Sequence, residues 1–92
     1  MSLAPDARPI LLTGVRTKFD TVRQTWVLLA PERTVKLDAI GAAILAEVDG
    51  RPFAEIVATL AEKYQAPPEQ IEKDAGAFIV SLINRRMAEA PI

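Results

Sequence analysis

The side chains that most often do chemistry are missing from this chain. Its 92 residues contain no cysteine and no histidine. That removes thiolate nucleophiles, disulfides, zinc and iron–sulfur ligation, and the commonest general base. Serine, threonine, aspartate, glutamate, lysine and a single tyrosine are present but scattered, and none falls in a nucleophile or phosphate-cradling motif. Asp49-Gly50 invites a calcium-loop reading, yet no further carboxylates follow at the required spacing. A helix end with its glycine stop explains that pair better. The residues therefore point to binding rather than catalysis, and no cofactor or metal is expected.

Composition narrows the kind of binding. Eleven basic and twelve acidic residues give a net charge of −1, too weak a field to draw in nucleic acid or anionic lipid. Half the residues are apolar, but 15 of these are alanine and only five are aromatic, which favours helices with small knobs over a large aromatic interior. The opening MSLAPDARPILL carries Asp6 and two prolines where a secretory signal needs a basic start and an unbroken apolar run. No stretch approaches a membrane span. The expectation is one small cytoplasmic domain.

The elements that must position any binding surface divide near Asp38. Residues 1–14, with Pro5, Pro9 and Gly14, read as an irregular lead-in to a single domain over 15–92. Val15 to Phe19 alternates as a half-buried strand, and Thr25–Ala30 is a short apolar run suited to a central strand. Pro31-Glu32-Arg33 reverses the chain, and Thr34–Leu37 alternates again with Val35 and Leu37 inward. Asp38 is a good N-cap for a first helix carrying Ile40, Ala43, Ile44 and Val48, which Gly50 closes. A second helix follows Pro52, with Phe53, Ile56, Val57, Leu60, Ala61 and Tyr64 on one stripe. Pro67-Pro68 precedes a third, striped by Ile71, Ala75, Phe78, Ile79, Leu82 and Ile83. The order predicts an α+β, winged helix-turn-helix-like fold: a three-stranded antiparallel sheet followed by three α-helices.

A winged helix suggests DNA, but the first turns of the third helix carry Glu69, Glu72 and Asp74 against one Lys73. Phosphate neutralisation drives DNA binding, so a winged-helix DNA-binding regulator stays only as the alternative. Two features exceed what a core needs. A three-stranded meander leaves free edges, and Thr34–Leu37 is guarded by a single lysine and no proline. The third helix also carries much apolar surface from Phe78 through Met87. Side by side, strand and helix would form a groove able to take an extended peptide as a fourth strand. On that reading Val35→Pro removes one edge amide. The other reading leaves the edge solvated, with Phe78, Leu82 and Met87 completing the core.

Several segments resemble the PqqD family. Trp26-Val-Leu-Leu-Ala-Pro-Glu32 is similar to its second strand and turn. Leu37-Asp-Ala-Ile-Gly-Ala-Ala-Ile-Leu45 with Asp49-Gly50 is similar to its first helix and exit. Glu55-Ile56-Val57, and Asp74-Ala75-Gly-Ala-Phe78 with Leu82, resemble its second and third helices, so the likeness runs from about Val15 to Met87. It implies a peptide chaperone of pyrroloquinoline quinone (PQQ) biosynthesis, a recognition element for ribosomally made precursor peptides that does no chemistry itself. Such a protein binds the precursor peptide PqqA and presents it to the radical S-adenosylmethionine enzyme PqqE, which cross-links a glutamate and a tyrosine within it. Carried onto this sequence, the peptide-binding positions are Thr34, Val35, Lys36 and Leu37 on the strand, with Ile79, Leu82, Ile83 and Arg86 opposite on the helix. A monomer is expected, with a strand-exchanged or edge-paired dimer open to it through the free edges, and with neither nucleic acid nor membrane as a partner. One departure is that Pro52 and Pro67 stand where the family often has a threonine or serine cap.

Overall fold

Alternating side chains and two tight reversals build the first half of the molecule. The computed structural model describes residues 3–91. In chain order the elements are β1 (Ile10–Leu11), β2 (Arg16–Asp20), β3 (Thr25–Ala30), β4 (Arg33–Leu37), α1 (Ala39–Ala46), α2 (Phe53–Tyr64), α3 (Pro68–Asn84) and β5 (Ala88–Glu89). Strands β2, β3 and β4 form an antiparallel meander with β3 central. The register Thr17↔Leu28↔Val35 and Phe19↔Trp26↔Leu37 puts apolar residues of all three strands on one face, while Val27 and Leu29 of the central strand point to the other. Asp20 shapes the first reversal: its Oδ1 accepts from the Val22 and Arg23 amides at 3.0 and 3.1 Å. Gln24 completes that turn in the left-handed region at φ 55. The α+β meander followed by three helices is the expected order.

The core has two connected parts. Leu28, Leu37, Leu45, Leu82 and Met87 pack between the sheet and the helices. Ile44, Phe53, Ile56, Leu60, Ala75 and Ile79 pack among the helices themselves. Met87 is 1 % exposed, so it belongs to this interior and adds nothing to a surface groove. Tyr64, at the end of the α2 stripe, is 53 % exposed, because the stripe outruns the helices that could cover it.

Helix ends follow local chemistry. Asp38 caps α1 as expected, its Oδ1 accepting from the Gly41 amide at 2.6 Å. The helix stops at Ala46, about one turn before Gly50. Asp49 there draws the Arg51 amide (3.2 Å) and Nε (3.1 Å) onto its own carboxylate. Arg51 also reaches Glu47 and the Thr59 hydroxyl, tying the α1 exit to α2. Its guanidinium is held above its ordinary pKa, first by the hydrogen bond to Glu47. Gly50 does adopt the left-handed conformation, φ 95, within the α1–α2 connection.

The lead-in expected to be irregular has a defined role. Ile10–Leu11 pairs antiparallel with Ala88–Glu89, and flanking bonds join Leu12 N to Met87 O (3.0 Å) and Arg8 N to Pro91 O (2.7 Å). Just upstream, the carbonyls of Ala7 and Pro5 accept from the Phe53 and Ala54 amides at 2.7 and 2.9 Å. Pro52 offers no side-chain cap, so backbone carbonyls from the distant N-terminal segment supply what a serine or threonine would have given.

Candidate functional site

The free edge of the sheet is defined by the two hairpins. A two-residue reversal, Pro31-Glu32, closes on Ala30↔Arg33, and such a closing pair exchanges both backbone hydrogen bonds. Bonded pairs alternate along the ladder, so Arg33, Val35 and Leu37 turn their amides and carbonyls toward β3. Thr34 and Lys36 turn theirs outward. The β2–β3 hairpin agrees: it closes on Asp20↔Thr25, which directs Trp26, Leu28 and Ala30 toward β4 by the same alternation. The open rungs are therefore those of Thr34 and Lys36, and the Val35 amide is part of the internal ladder. Proline at Val35 would damage the sheet itself, contrary to the reading that made it an edge amide.

Helix α3 runs alongside this edge in the opposite direction. At one end the Arg33 Nη2 donates to the Arg85 carbonyl at 2.9 Å. At the other, α1 meets α3 so closely that a Cβ on Gly41 would lie 3.2 Å from Phe78 Cζ and 3.1 Å from Asp38 Oδ1. A side chain at Gly41 would press on the Asp38 cap and the Phe78 ring, so close packing rather than its backbone angles favours glycine here. Between strand and helix lies an open cleft of about 360 Å³. Val35, Lys36, Leu37 and Asp38 line the sheet side, and Asp74, Phe78, Ser81, Leu82 and Arg85 the helix side. Asp74, Phe78, Ser81 and Arg85 recur at steps of four, three and four, which places them on one helical face.

Of the residues singled out from the sequence, Val35, Lys36, Leu37 and Leu82 line this cleft. Thr34 contributes its outward backbone from the same edge. Leu82 forms the floor, being 1 % exposed and fixed in the sheet-side core. Ile79, also 1 % exposed, is turned into the helical core among Ile44, Phe53 and Ile56. Ile83 is half-buried against both cores. Arg86 lies past the end of α3 at φ 61, and Arg85 stands in the wall instead. The apolar stripe of α3, on which Ile79, Leu82 and Ile83 stand, marks its buried side. Ser81 and Arg85 lie on the flank of that stripe, and their spacing from Phe78 was the available signal.

A second, more apolar cleft of about 350 Å³ opens beyond Asp74 between the three helices, lined by Ile40, Leu60, Tyr64 and Ile71. Ile40, 68 % exposed, stands on the rim common to both clefts. Phe19 and Trp26 continue this apolar surface across the sheet, edge to face at 5.4 Å. Among the described residues no cluster of carboxylates could hold a metal, and no helix is long and apolar enough to cross a membrane.

Known proteins share the sequence and fold of this chain. Residues 25–88 match the family described as Coenzyme PQQ synthesis protein D (PqqD). A PqqA binding protein of Xanthomonas oryzae pv. oryzae (strain PXO99A) is 39 % identical over 87 residues, covering 94 % of this chain and 95 % of that protein. A PqqA binding protein of Rhizobium meliloti (strain 1021) is 46 % identical over 80 residues, covering 86 % of this chain and 82 % of its own length. Among solved structures, the solution NMR structure of the PqqD truncation of Methylobacterium extorquens PqqCD superposes with a TM-score of 0.77 at 44 % identity, over 91 % of this chain and 89 % of the other. It is described as a functional, stand-alone recognition element for ribosomally synthesized and post-translationally modified peptides. The crystal structure of PqqD from Xanthomonas campestris gives 0.57 at 39 % identity, over 91 % and 94 % of the two chains. With the fold, the order of its elements and nearly its whole length in common with these proteins, the chain belongs to the PqqD family.

Proposed function

We propose that this chain binds the precursor peptide PqqA as an added strand on β4 and presents it to the radical S-adenosylmethionine enzyme PqqE in the biosynthesis of PQQ. It performs no bond chemistry of its own and acts in the cytoplasm. The observation that carries this reading is the pair of outward rungs at Thr34 and Lys36 beside the α3 cleft. Main-chain bonds to such an edge supply affinity, and side chains alternating into the cleft supply selectivity. The relatives that bear the name PqqA binding protein support the choice of guest.

The working form is a monomer. Strands β2 and β4 both end the sheet, so pairing of two copies through β4 would compete with the guest. Charged side chains on both edges, Arg16 and Lys18 on β2 and Lys36 on β4, oppose that pairing.

The test is a titration of the isotope-labelled protein with synthetic PqqA, followed by addition of PqqE. The reading expects the Thr34 and Lys36 amides to shift and become protected on the first addition, and a ternary complex to form on the second. Unmoved Thr34 and Lys36 amides would refute the cleft as the site. Sequence-selective, salt-sensitive retention of duplex DNA would instead favour the regulator.

A further inference from the structure

We propose that the β4–α3 cleft reads the charge order of its guest. It selects an extended segment with a basic residue on its N-terminal side and an acidic residue about four positions later. This rests on the peptide-binding reading and specifies the chemistry of the peptide.

The two walls carry charge of opposite sign at opposite ends. Arg33 and Arg85 stand together at one end, joined by the 2.9 Å bond from the Arg33 guanidinium to the Arg85 carbonyl. Asp38 and Asp74 both line the cleft toward the other end. Both carboxylates are oriented by the chain, Asp38 Oδ1 by the Gly41 amide at 2.6 Å and Asp74 Oδ2 by the Gln70 amide group at 2.9 Å. Among the described residues, none of these four side chains takes part in an ion pair. Lys36 stands between the ends, and the register turns its side chain to the sheet face opposite Val35 and Leu37.

The walls are also matched in length. Arg33 to Asp38 spans about 17 Å of extended strand, and Asp74 to Arg85 about 17 Å of helix. Between the charged ends the lining mixes apolar Val35, Leu37 and Phe78 with polar Lys36 and Ser81. Antiparallel addition is the more stable pairing, and it brings the N-terminal side of the guest to Asp38 and Asp74. Two guest residues four positions apart point to the same side and lie about 13 Å from each other. The long stems of lysine and arginine cover the remaining distance. Exposed pairs of this kind contribute little affinity, but like charges brought together penalise the wrong direction, so their main effect is on orientation and register.

The probes are two twelve-residue peptides of threonine, serine and valine that differ only in charge order. One has lysine four positions before glutamate, and the other has glutamate four positions before lysine. Binding is followed by amide shifts of the protein at low salt, with synthetic PqqA as a separate ligand. The wild-type protein is expected to favour the lysine-first peptide about three- to tenfold, with the difference shrinking in 0.5 M salt. Asp74→Lys combined with Arg85→Glu, both at exposed positions, leaves Asp38 and Arg33 to neutralise the new charges at each end and is expected to abolish that preference. Equal binding of the two peptides by the wild-type protein, or a preference that survives the double exchange, overturns the proposal while PqqA still shifts Thr34 and Lys36. If PqqA leaves those amides unmoved as well, the peptide-binding reading itself is wrong.

Discussion

At the scale of single residues, the side chains near the cleft divide by what they hold in place. Asp38 both caps α1 and lines the cleft. Asp38→Ala is expected to lower stability by about 1 kcal/mol, and Asp38→Asn to retain most of it, because the amide oxygen still accepts from the Gly41 amide. Chemical denaturation of the three proteins checks this. Leu82 also lines the cleft, yet it is 1 % exposed and packed with Leu28, Leu37 and Met87. Leu82→Ala is expected to cost about 2–5 kcal/mol, so any loss of peptide binding in that variant must be judged against the folded fraction. Ile79 is turned away from the cleft. Ile79→Val should cost about 1 kcal/mol of stability and leave the affinity of the folded protein for PqqA unchanged in calorimetric titration.

At the scale of elements, the function depends on which backbone groups of β4 face outward. The hairpin register makes neighbouring residues behave differently under the same substitution. Lys36→Pro removes an outward amide, which an edge strand tolerates. It is expected to weaken PqqA binding about tenfold relative to Lys36→Ala, with little change in unfolding midpoint. Val35→Pro removes an inward donor and breaks the β3–β4 ladder, and is expected to destabilise the domain by about 2–3 kcal/mol. Circular dichroism melts alongside titrations separate the two effects. Equal destabilisation by both substitutions would mean that the alternation assigned to β4 is wrong.

At the scale of the whole molecule, the two chain ends stabilise a helix that neither contains. Segment β1 is held by β5, and the residues just before it place the Ala7 and Pro5 carbonyls on the first amides of α2. Ala7 and Pro9 are buried in the process. Deletion of residues 1–11 is expected to cost about 2–4 kcal/mol through lost caps and exposed apolar surface. For a domain of this size that lowers Tm by about 10–20 °C. Hydrogen exchange should show the loss first at the Phe53 and Ala54 amides. The β4 edge lies on the other sheet, so the surviving folded fraction should still bind PqqA.

Local physics was legible in the order of residues. Alternation in Thr34–Leu37, the aspartate before α1, and the prolines before α2 and α3 are properties of short segments. They determined the α+β order and the central place of β3. The tertiary structure decided what depends on partners distant in the chain. Periodicity marks the apolar stripe of α3, but only packing against α1, α2 and the sheet separates Ile79, turned inward, and Leu82, fixed in the cleft floor, from Phe78, Ser81 and Arg85 on the cleft wall. Likewise no local signal links Pro5 and Ala7 to α2. Pro52 leaves amides unpaired, and which carbonyls satisfy them is fixed by where the folded chain brings its first residues.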